Sequence, residues 1–137
     1  VVAVAAHVLR MNQEEADDLA GHHLRDLSET ADFTSKLVEK GAARIVIVAR
    51  GPEGSVLATD GLRLHARAAE VPVRSKVGAG DTFVGAFTYG LALQEPLEKA
   101  LTRGVAAASA AVMSEGTSLC TREDAEGLMV YCPAVAI

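Results

Sequence analysis

One stretch, residues 77–83 (Val-Gly-Ala-Gly-Asp-Thr-Phe), constrains the fold of this chain more than any other. Gly78 and Gly80 free the backbone to adopt positive φ and to approach another group without an intervening Cβ. The residues before the turn predict a strand, and those after it predict a helix as far as about Leu93. Unpaired amides and the helix dipole make the start of such a helix able to bind an anion. The stretch therefore predicts a strand, an anion-binding turn and a helix.

Asp81 lies at the mouth of this predicted turn, where its carboxylate would repel the phosphate that the amides attract. Two interpretations are open. Asp81 caps the helix, a role that Asp performs well at an N-terminus. Alternatively, Asp81 takes the proton from a hydroxyl as that hydroxyl attacks a phosphoryl group. A short glycine pattern alone does not decide between them.

The composition bounds the class of protein. With 137 residues the chain fits one domain with a real core, and half of its residues are apolar although only three are Phe and two are Tyr, which favours an α/β protein. The net charge of −5 argues against a nucleic-acid surface. Cys120 and Cys132 are too few for a zinc site and too far apart for a redox pair, which favours idle thiols in a reducing, cytoplasmic compartment.

The first half of the chain alternates strand and helix patterns. Residues 1–9 predict a core strand covered on both faces, with His7 packed inside it. This run is too short for a membrane span and lacks the basic start of a signal peptide, and a chain that begins inside a strand without Met resembles part of a longer protein. Further predicted elements are a helix at 28–40, strands at 45–49, 55–59 and 62–65, and an edge strand at 71–73.

Asn12 and Glu15 carry the next signal. They form a capping-box pattern at the start of an acidic helix over residues 13–21, and this structural role would explain both residues. The alternative is that the two side chains order water around a metal ion that is bound to phosphates.

The second half is mainly helical. Pro96 fits the first turn of a helix over residues 97–114, and Thr121 with Asp124 predicts the start of a last helix that ends at Pro133. The segment 104–111 (Gly-Val-Ala-Ala-Ala-Ser-Ala-Ala) has almost no side-chain bulk. It either permits tight helix packing or leaves room for a flat ring such as adenine. No internal repeat or linker appears, so the chain is one domain or part of one.

Three motifs occur in a fixed order: residues 12–15 (Asn-Gln-Glu-Glu), 51–54 (Gly-Pro-Glu-Gly) and 78–83 (Gly-Ala-Gly-Asp-Thr-Phe). Together they resemble the ribokinase/phosphofructokinase-B (pfkB) family of sugar kinases, and residues 104–109 and 115–120 are most similar to its 6-phosphofructokinase branch. The resemblance covers nearly all of the chain but matches only the C-terminal half of a family member. It implies a ribokinase-like, Rossmann-like α/β fold with a mostly parallel sheet flanked by helices.

This resemblance also implies an activity. Residues 1–137 would be the C-terminal nucleotide-binding and catalytic part of a kinase, without the N-terminal sugar-binding and lid half through which the full-length protein would form a homodimer. The reaction would be ATP-dependent phosphorylation of fructose 6-phosphate to fructose 1,6-bisphosphate in glycolysis. Tagatose 6-phosphate, fructose 1-phosphate, ribose or a nucleoside are alternative acceptors. The isolated chain is expected to be inactive.

The resemblance assigns roles to named positions. Asp81 would be the catalytic base, and the amides of Ala79, Gly80 and Asp81, after the turn at Gly78, would form the anion hole. Arg10 and Asn12 would lie near the nucleotide phosphates, and Asn12 and Glu15 would hold Mg²⁺ through water. The other implied nucleotide positions are Ala49, Gly51, Pro52, Glu53, Gly54, Val105 and Ser109. A potassium ion would be held by oxygens of Ser75, Val77, Ala111, Ser114, Gly116 and Ser118.

Two departures from the family pattern affect the nucleotide region. Arg10-Met11-Asn12 replaces Lys-Pro-Asn, and Ala49-Arg50-Gly51 replaces Ser/Thr-Leu-Gly. Burial of an unpaired Arg is costly, so Arg50 must reach water, an acid or the nucleotide. Ala49, Arg50 and the missing N-terminal half motivate a competing hypothesis, a non-catalytic nucleotide-binding or regulatory protein. A dinucleotide oxidoreductase is disfavoured, because the acid lies inside the glycine turn instead of downstream of it.

Overall fold

A computed structural model describes residues 2–4, 7–114 and 121–137. The chain divides into two compact units, one of Val1–His65 with Ala136–Ile137 and one of Ala66–Val135. Among the described residues, none of the helices has the length and apolar character needed to cross a membrane.

The first unit is built on a sheet with helices. Its strands are β1 (Val2–Val4), β2 (Val8–Asn12), β3 (Ile45–Ala49), β4 (Ser55–Thr59) and β5 (Leu62–Ala66), and its helices are α1 (Gln13–Ala20) and α2 (Leu27–Glu39). A short strand near the C-terminus, β6 (Ala134–Ala136), completes the sheet order β1-β2-β3-β4-β5-β6. β2 and β3 run parallel, whereas β1–β2 and β3–β4 are antiparallel pairs. The α/β prediction is therefore confirmed, but the sheet is mixed instead of mostly parallel, because one of these three pairs is parallel and two are antiparallel.

The parallel register of β2 and β3 determines what lies at the edge of the sheet. Asn12, the last residue of β2, is the register partner of Ala49, the last residue of β3. Carboxyl ends of neighbouring parallel strands are the usual position of a ligand site in α/β sheets. The start of α1 and the turn after Ala49 are thereby brought to the same edge.

The core of the first unit is aliphatic, as the composition requires. Val46 and Val48 of β3 are completely buried. The cluster around them consists of Met11, Ala16, Leu24 and Ala43, with Leu9, Ala20, Phe33, Leu37 and Val38 packed against it. Met11 occupies the position where the family pattern has proline, and its side chain is part of this core.

The second unit contains α3 (Ala79–Ala92), α4 (Leu97–Val112) and α5 (Arg122–Leu128). α3 and α4 pack against each other, and α3 contributes the buried Phe83 and Phe87, whose rings stack with centroids 5.9 Å apart. A Cβ on Gly104 would lie only 2.9 Å from Cε2 of Phe83. At Gly104, the small residue therefore serves tight helix packing.

Two predictions of secondary structure are wrong, and one strand was not predicted. Residues 1–9 are not one strand, because β1 and β2 form an antiparallel pair and His7 is exposed between them instead of packed. Residues 71–73 are irregular, and the next amides, those of Arg74 and Ser75, donate to the Val112 carbonyl at 2.7 and 3.2 Å instead of to a strand. The strand β6, which is only three residues long, was not predicted.

Candidate functional site

The glycine turn adopts the conformation that its sequence requires. Gly78 is the N-cap of α3 with φ of 81°, a left-handed conformation that favours glycine. The first bond of the helical ladder runs from the Thr82 amide to the Gly78 carbonyl at 2.9 Å. The amides of Gly80 and Asp81 precede this ladder, so they point out of the helix start, where an anion can accept their hydrogen bonds. The Ala79 amide, also predicted for the anion hole, instead donates to the Lys76 carbonyl at 3.4 Å.

Asp81 is the third residue of α3, and its side chain is exposed. Asp81 does not cap the helix, because the N-cap is Gly78. No side chain of the described residues makes a capping hydrogen bond at the start of α3. The capping interpretation is therefore wrong. The carboxylate stands in the first turn of the helix, one residue beyond the second glycine, and is accessible to a hydroxyl group of a substrate.

The capping box at the start of α1 is confirmed. Asn12 Oδ1 accepts from the Glu15 amide at 2.8 Å, and Glu15 Oε1 accepts from the Asn12 amide at 3.1 Å. The single side-chain oxygen of Asn12 and one of the two carboxylate oxygens of Glu15 thus accept from the backbone. The donor set is an amide and a carboxylate, which suits Mg²⁺ bound through water better than direct coordination. In the described part of the chain, no three His, Cys, Asp or Glu residues form a metal cluster.

The turn after β3 is closed by its own backbone. The Arg50 amide donates to the Gly54 carbonyl at 2.7 Å, and the Gly54 amide donates to the Gly51 carbonyl at 3.0 Å. Gly51 and Gly54 have positive φ of 57° and 88°. Pro52 and Glu53 are exposed at its tip. This turn follows the carboxyl end of β3, which lies beside the carboxyl end of β2. Within the first unit, the structure therefore brings the predicted nucleotide motifs together.

Arg50 is buried in the first unit, where its two terminal nitrogens make hydrogen bonds and its Nε has no partner among the described residues. Its Nη1 donates to the Leu24 carbonyl at 3.0 Å and to Thr30 Oγ1 at 2.7 Å. Its Nη2 donates to Glu53 Oε1 at 3.1 Å and reaches the Arg25 carbonyl at 3.4 Å. The expectation was that Arg50 must reach water, an acid or the nucleotide, and the structure shows that it reaches an acid, Glu53. The acceptors on Leu24 and Thr30 were not predicted, since nothing in the local sequence marks them.

Arg10 lies in β2 two residues before Asn12, so the two side chains leave the same face of the sheet. Its side chain is partly buried. The retained positive charge is therefore on the face from which the capping-box asparagine also projects.

Val105 and Ser109 are one turn apart on α4, and both are buried. Ser109 Oγ donates to the Val105 carbonyl at 3.0 Å and accepts from the Ala69 amide at 3.1 Å. The hydroxyl is thus engaged by the protein. Their assignment to an adenine pocket stays a prediction.

Four of the predicted potassium ligands are described by the structure and lie in the second unit: Ser75, Val77, Ala111 and Ser114. Ser75 is held at the C-terminal end of α4 by its bond to the Val112 carbonyl, and its Oγ accepts from the Val77 amide at 3.2 Å. The Ala111 carbonyl accepts from the Ser114 amide at 3.1 Å. Carbonyl and hydroxyl oxygens at a helix C-terminus are suitable neighbours for a cation. Gly116 and Ser118 lie outside the described residues.

Comparison with known proteins gives the family. Residues 2–124 match the model of the pfkB family carbohydrate kinases. The ATP-dependent 6-phosphofructokinase isozyme 2 of Escherichia coli K12 is 33% identical over 124 residues, which are 90% of this chain and 40% of that protein. The 1-phosphofructokinase of Bacillus subtilis is 32% identical over 108 residues, 79% of this chain and 35% of that protein.

The fold comparison agrees. The crystal structure of Escherichia coli phosphofructokinase-2 in complex with potassium matches with a TM-score of 0.85 at 33% identity, covering 91% of this chain and 40% of that chain. The chain thus spans about 40% of the length of these relatives. It belongs to the pfkB family of carbohydrate kinases.

Proposed function

We propose that the protein carrying this chain transfers the γ-phosphoryl group of ATP to a hydroxyl of fructose 6-phosphate, giving fructose 1,6-bisphosphate and ADP. The observation that carries the proposal is the turn at Gly78, with the amides of Gly80 and Asp81 ahead of the helical ladder and an exposed Asp81 carboxylate in the same turn. The similarity to two phosphofructokinases supports a fructose phosphate as the acceptor.

Asp81 has the role of the base. Its carboxylate accepts the proton of the attacking hydroxyl as the new bond forms between that oxygen and the γ-phosphorus, while the bond to the β–γ bridging oxygen breaks. The amides of Gly80 and Asp81 donate to the negative charge on the transferring group. Phosphoryl transfer requires mainly positioning and charge stabilisation, so few side chains suffice.

Nucleotide binding is assigned to the edge of the sheet in the first unit and to α4. Arg10 and the turn at residues 51–54 bind phosphates, and Val105 with Ser109 lines the adenine site. Mg²⁺ neutralises phosphate charge when bound, and Asn12 and Glu15 hold its water ligands. The proposal includes a potassium ion near Ser75 and Ala111, a homodimeric full-length kinase, a cytoplasmic location and a place in glycolysis.

The test is a phosphoryl-transfer assay on the complete protein that carries this chain. ADP release is measured with fructose 6-phosphate, fructose 1-phosphate, tagatose 6-phosphate, ribose and a nucleoside, and we expect the highest kcat/KM with fructose 6-phosphate. The isolated 137-residue chain, assayed in parallel, is expected to show no transfer. Transfer to another sugar would overturn the acceptor but retain the reaction.

A binding measurement distinguishes a kinase from a protein that binds the nucleotide without transferring phosphate. Calorimetric titration with Mg-ATP is run on the same preparation. Tight binding without transfer to any acceptor would overturn the kinase proposal in favour of a nucleotide-binding or regulatory protein, the alternative that the departures at Met11, Ala49 and Arg50 suggest.

A further inference from the structure

The side chain of Arg50 is only 3% exposed, although it carries a charge. Its guanidinium group contacts three separate parts of the first unit. These are the segment between α1 and α2, through the carbonyls of Leu24 and Arg25, the first turn of α2, through Thr30, and the turn after β3, through Glu53. A forked guanidinium can serve several acceptors in fixed directions, which a single ammonium group cannot.

The Leu24 carbonyl connects this group to the start of α1. It accepts from Arg50 Nη1 at 3.0 Å and also from Gln13 Nε2 at 3.0 Å. Gln13 is the first residue of α1, directly after Asn12. A continuous set of hydrogen bonds therefore runs from Gln13 through the Leu24 carbonyl to Arg50 and on to Glu53.

The turn itself is held from two sides. Arg50 Nη2 binds the Glu53 carboxylate at 3.1 Å, and the ring of His65 on β5 is 2.6 Å from the Glu53 carbonyl oxygen. Without these bonds, a tip of exposed residues between two glycines has many conformations available. The contacts select one of them before any ligand arrives.

We propose that Arg50 is a positioning residue for the nucleotide: it fixes the turn at residues 51–54 relative to the Asn12–Glu15 capping box. A leucine at this position, as in the family pattern, can fill space but cannot bind the Leu24 carbonyl or Glu53. Preorganisation of a binding turn strengthens binding because less conformational entropy is lost when the ligand binds. The inference rests on the proposed function, since it assumes that this turn contacts nucleotide.

The main variant is Arg50→Leu in the complete protein. Replacement of a buried charged group by an apolar one of similar size is often tolerated, and both Leu24 and Thr30 keep another partner, Gln13 Nε2 and the Asp26 carbonyl. We expect KM for ATP to rise about tenfold, with kcat and KM for the sugar phosphate within about twofold, because only nucleotide ordering is lost. Arg50→Lys should recover part of the loss.

Two controls accompany it. Arg25→Leu removes an exposed arginine from the same segment, one whose side chain pairs with Glu29, and leaves its backbone carbonyl in place; KM for ATP should not change. Thr30→Val removes one acceptor of Arg50 at a buried site away from the turn, and should raise KM for ATP in the same direction by a smaller factor.

Amide hydrogen exchange without ligand separates this inference from the function on which it rests. In Arg50→Leu, exchange should accelerate at residues 22–26 and 51–54 and stay unchanged in α3 and α4. Slower turnover with an unchanged KM for ATP, or exchange that accelerates throughout the chain, would overturn the positioning role. If the protein proves not to bind ATP at all, the proposed function fails, while the exchange result still decides whether Arg50 orders the turn.

Discussion

Arg103 of α4 and Glu95, which precedes α4, form a two-point ion pair, with Nε–Oε1 and Nη2–Oε2 distances of 2.8 Å each. Both side chains are about one-tenth exposed. The same guanidinium lies 5.4 Å from the centroid of the Tyr89 ring on α3, and its Nη1 is 3.4 Å from Glu126 Oε1 on α5. Arg103 therefore ties together α3, α4 and α5, the helices described in the second unit, and α3 is the helix that begins at the glycine turn.

Removing one partner of this pair should be costly. Arg103→Leu leaves the Glu95 carboxylate largely buried, and loss of one partner of a buried pair costs about 3–5 kcal/mol of the free energy of unfolding. Urea unfolding of the complete protein measures it. Lys99→Leu is the matched control, since Lys99 Nζ contacts the same carboxylate at 3.2 Å but its side chain is 55% exposed. That change should cost less than about 1 kcal/mol, and equal costs for the two variants would contradict the assignment.

The same pair predicts a dependence on pH. The hydrogen bonds from Arg103 lower the pKa of Glu95 from 4.5 to about 2. Because the folded-state pKa is the lower one, this contribution to stability is complete above pH 4.5 and is lost as the pH falls toward 2. Glu95→Gln should remove this part of the acid-induced loss of stability.

The measurement is the free energy of unfolding as a function of pH for both proteins. Their difference is the informative quantity, because Glu29, paired with Arg25, also has a pKa of about 2 and titrates in the same window. Two curves that stay parallel between pH 4.5 and 2 would show that the pair does not act in this way.

Gly104 should not tolerate a side chain. A Cβ there would lie 2.9–3.1 Å from three atoms of the Phe83 ring. Overpacking of this kind costs about 1–3 kcal/mol, so Gly104→Ala should lower the thermal midpoint. Gly85→Ala, in the interior of α3 with nothing within 4 Å of the new Cβ, should raise stability by about 0.5–1 kcal/mol. A thermal melt of the two variants in which both change stability in the same direction would refute this packing argument.

Asn12 combines a structural role with a proposed role at the metal. Asn12→Ala removes the cap of α1 and should cost about 1 kcal/mol. Asn12→Ser retains a capping oxygen, so its stability should be close to that of the parent protein. If Asn12 also holds Mg²⁺ through water, Asn12→Ser should still raise KM for Mg-ATP. An unchanged KM for Mg-ATP in a stable Asn12→Ser variant would show that Asn12 acts only as a helix cap.

Local features of this fold could be predicted from the sequence because both partners of each interaction are close in the chain. Asn12 and Glu15, the partners in the capping box, are three positions apart, and Gly78 marks its own left-handed turn. The strand β3 was predicted with its observed ends because it is a short apolar run between breakers.

The rest depends on contacts that are distant in sequence. Arg50 finds its acceptors at Leu24 and Thr30, which lie 26 and 20 residues away. Residues 71–73 look like an edge strand, but the amides of Arg74 and Ser75 bind the end of α4 instead. An apolar pattern shows that a segment can be buried. Whether the segment is then a strand or an irregular stretch depends on its tertiary partner.

The most direct test of the central claim is the turnover of Asp81→Asn in the complete protein. Asp124→Asn is its control, because Asp124 is also an exposed acid at the third position of its helix, α5. If Asp81 is the base, kcat of Asp81→Asn should fall about 10²–10⁴-fold while KM for ATP stays nearly unchanged. The control should have the kcat of the parent protein. An Asp81→Asn enzyme with kcat within about threefold of the parent would contradict the account, because loss of a general base costs far more.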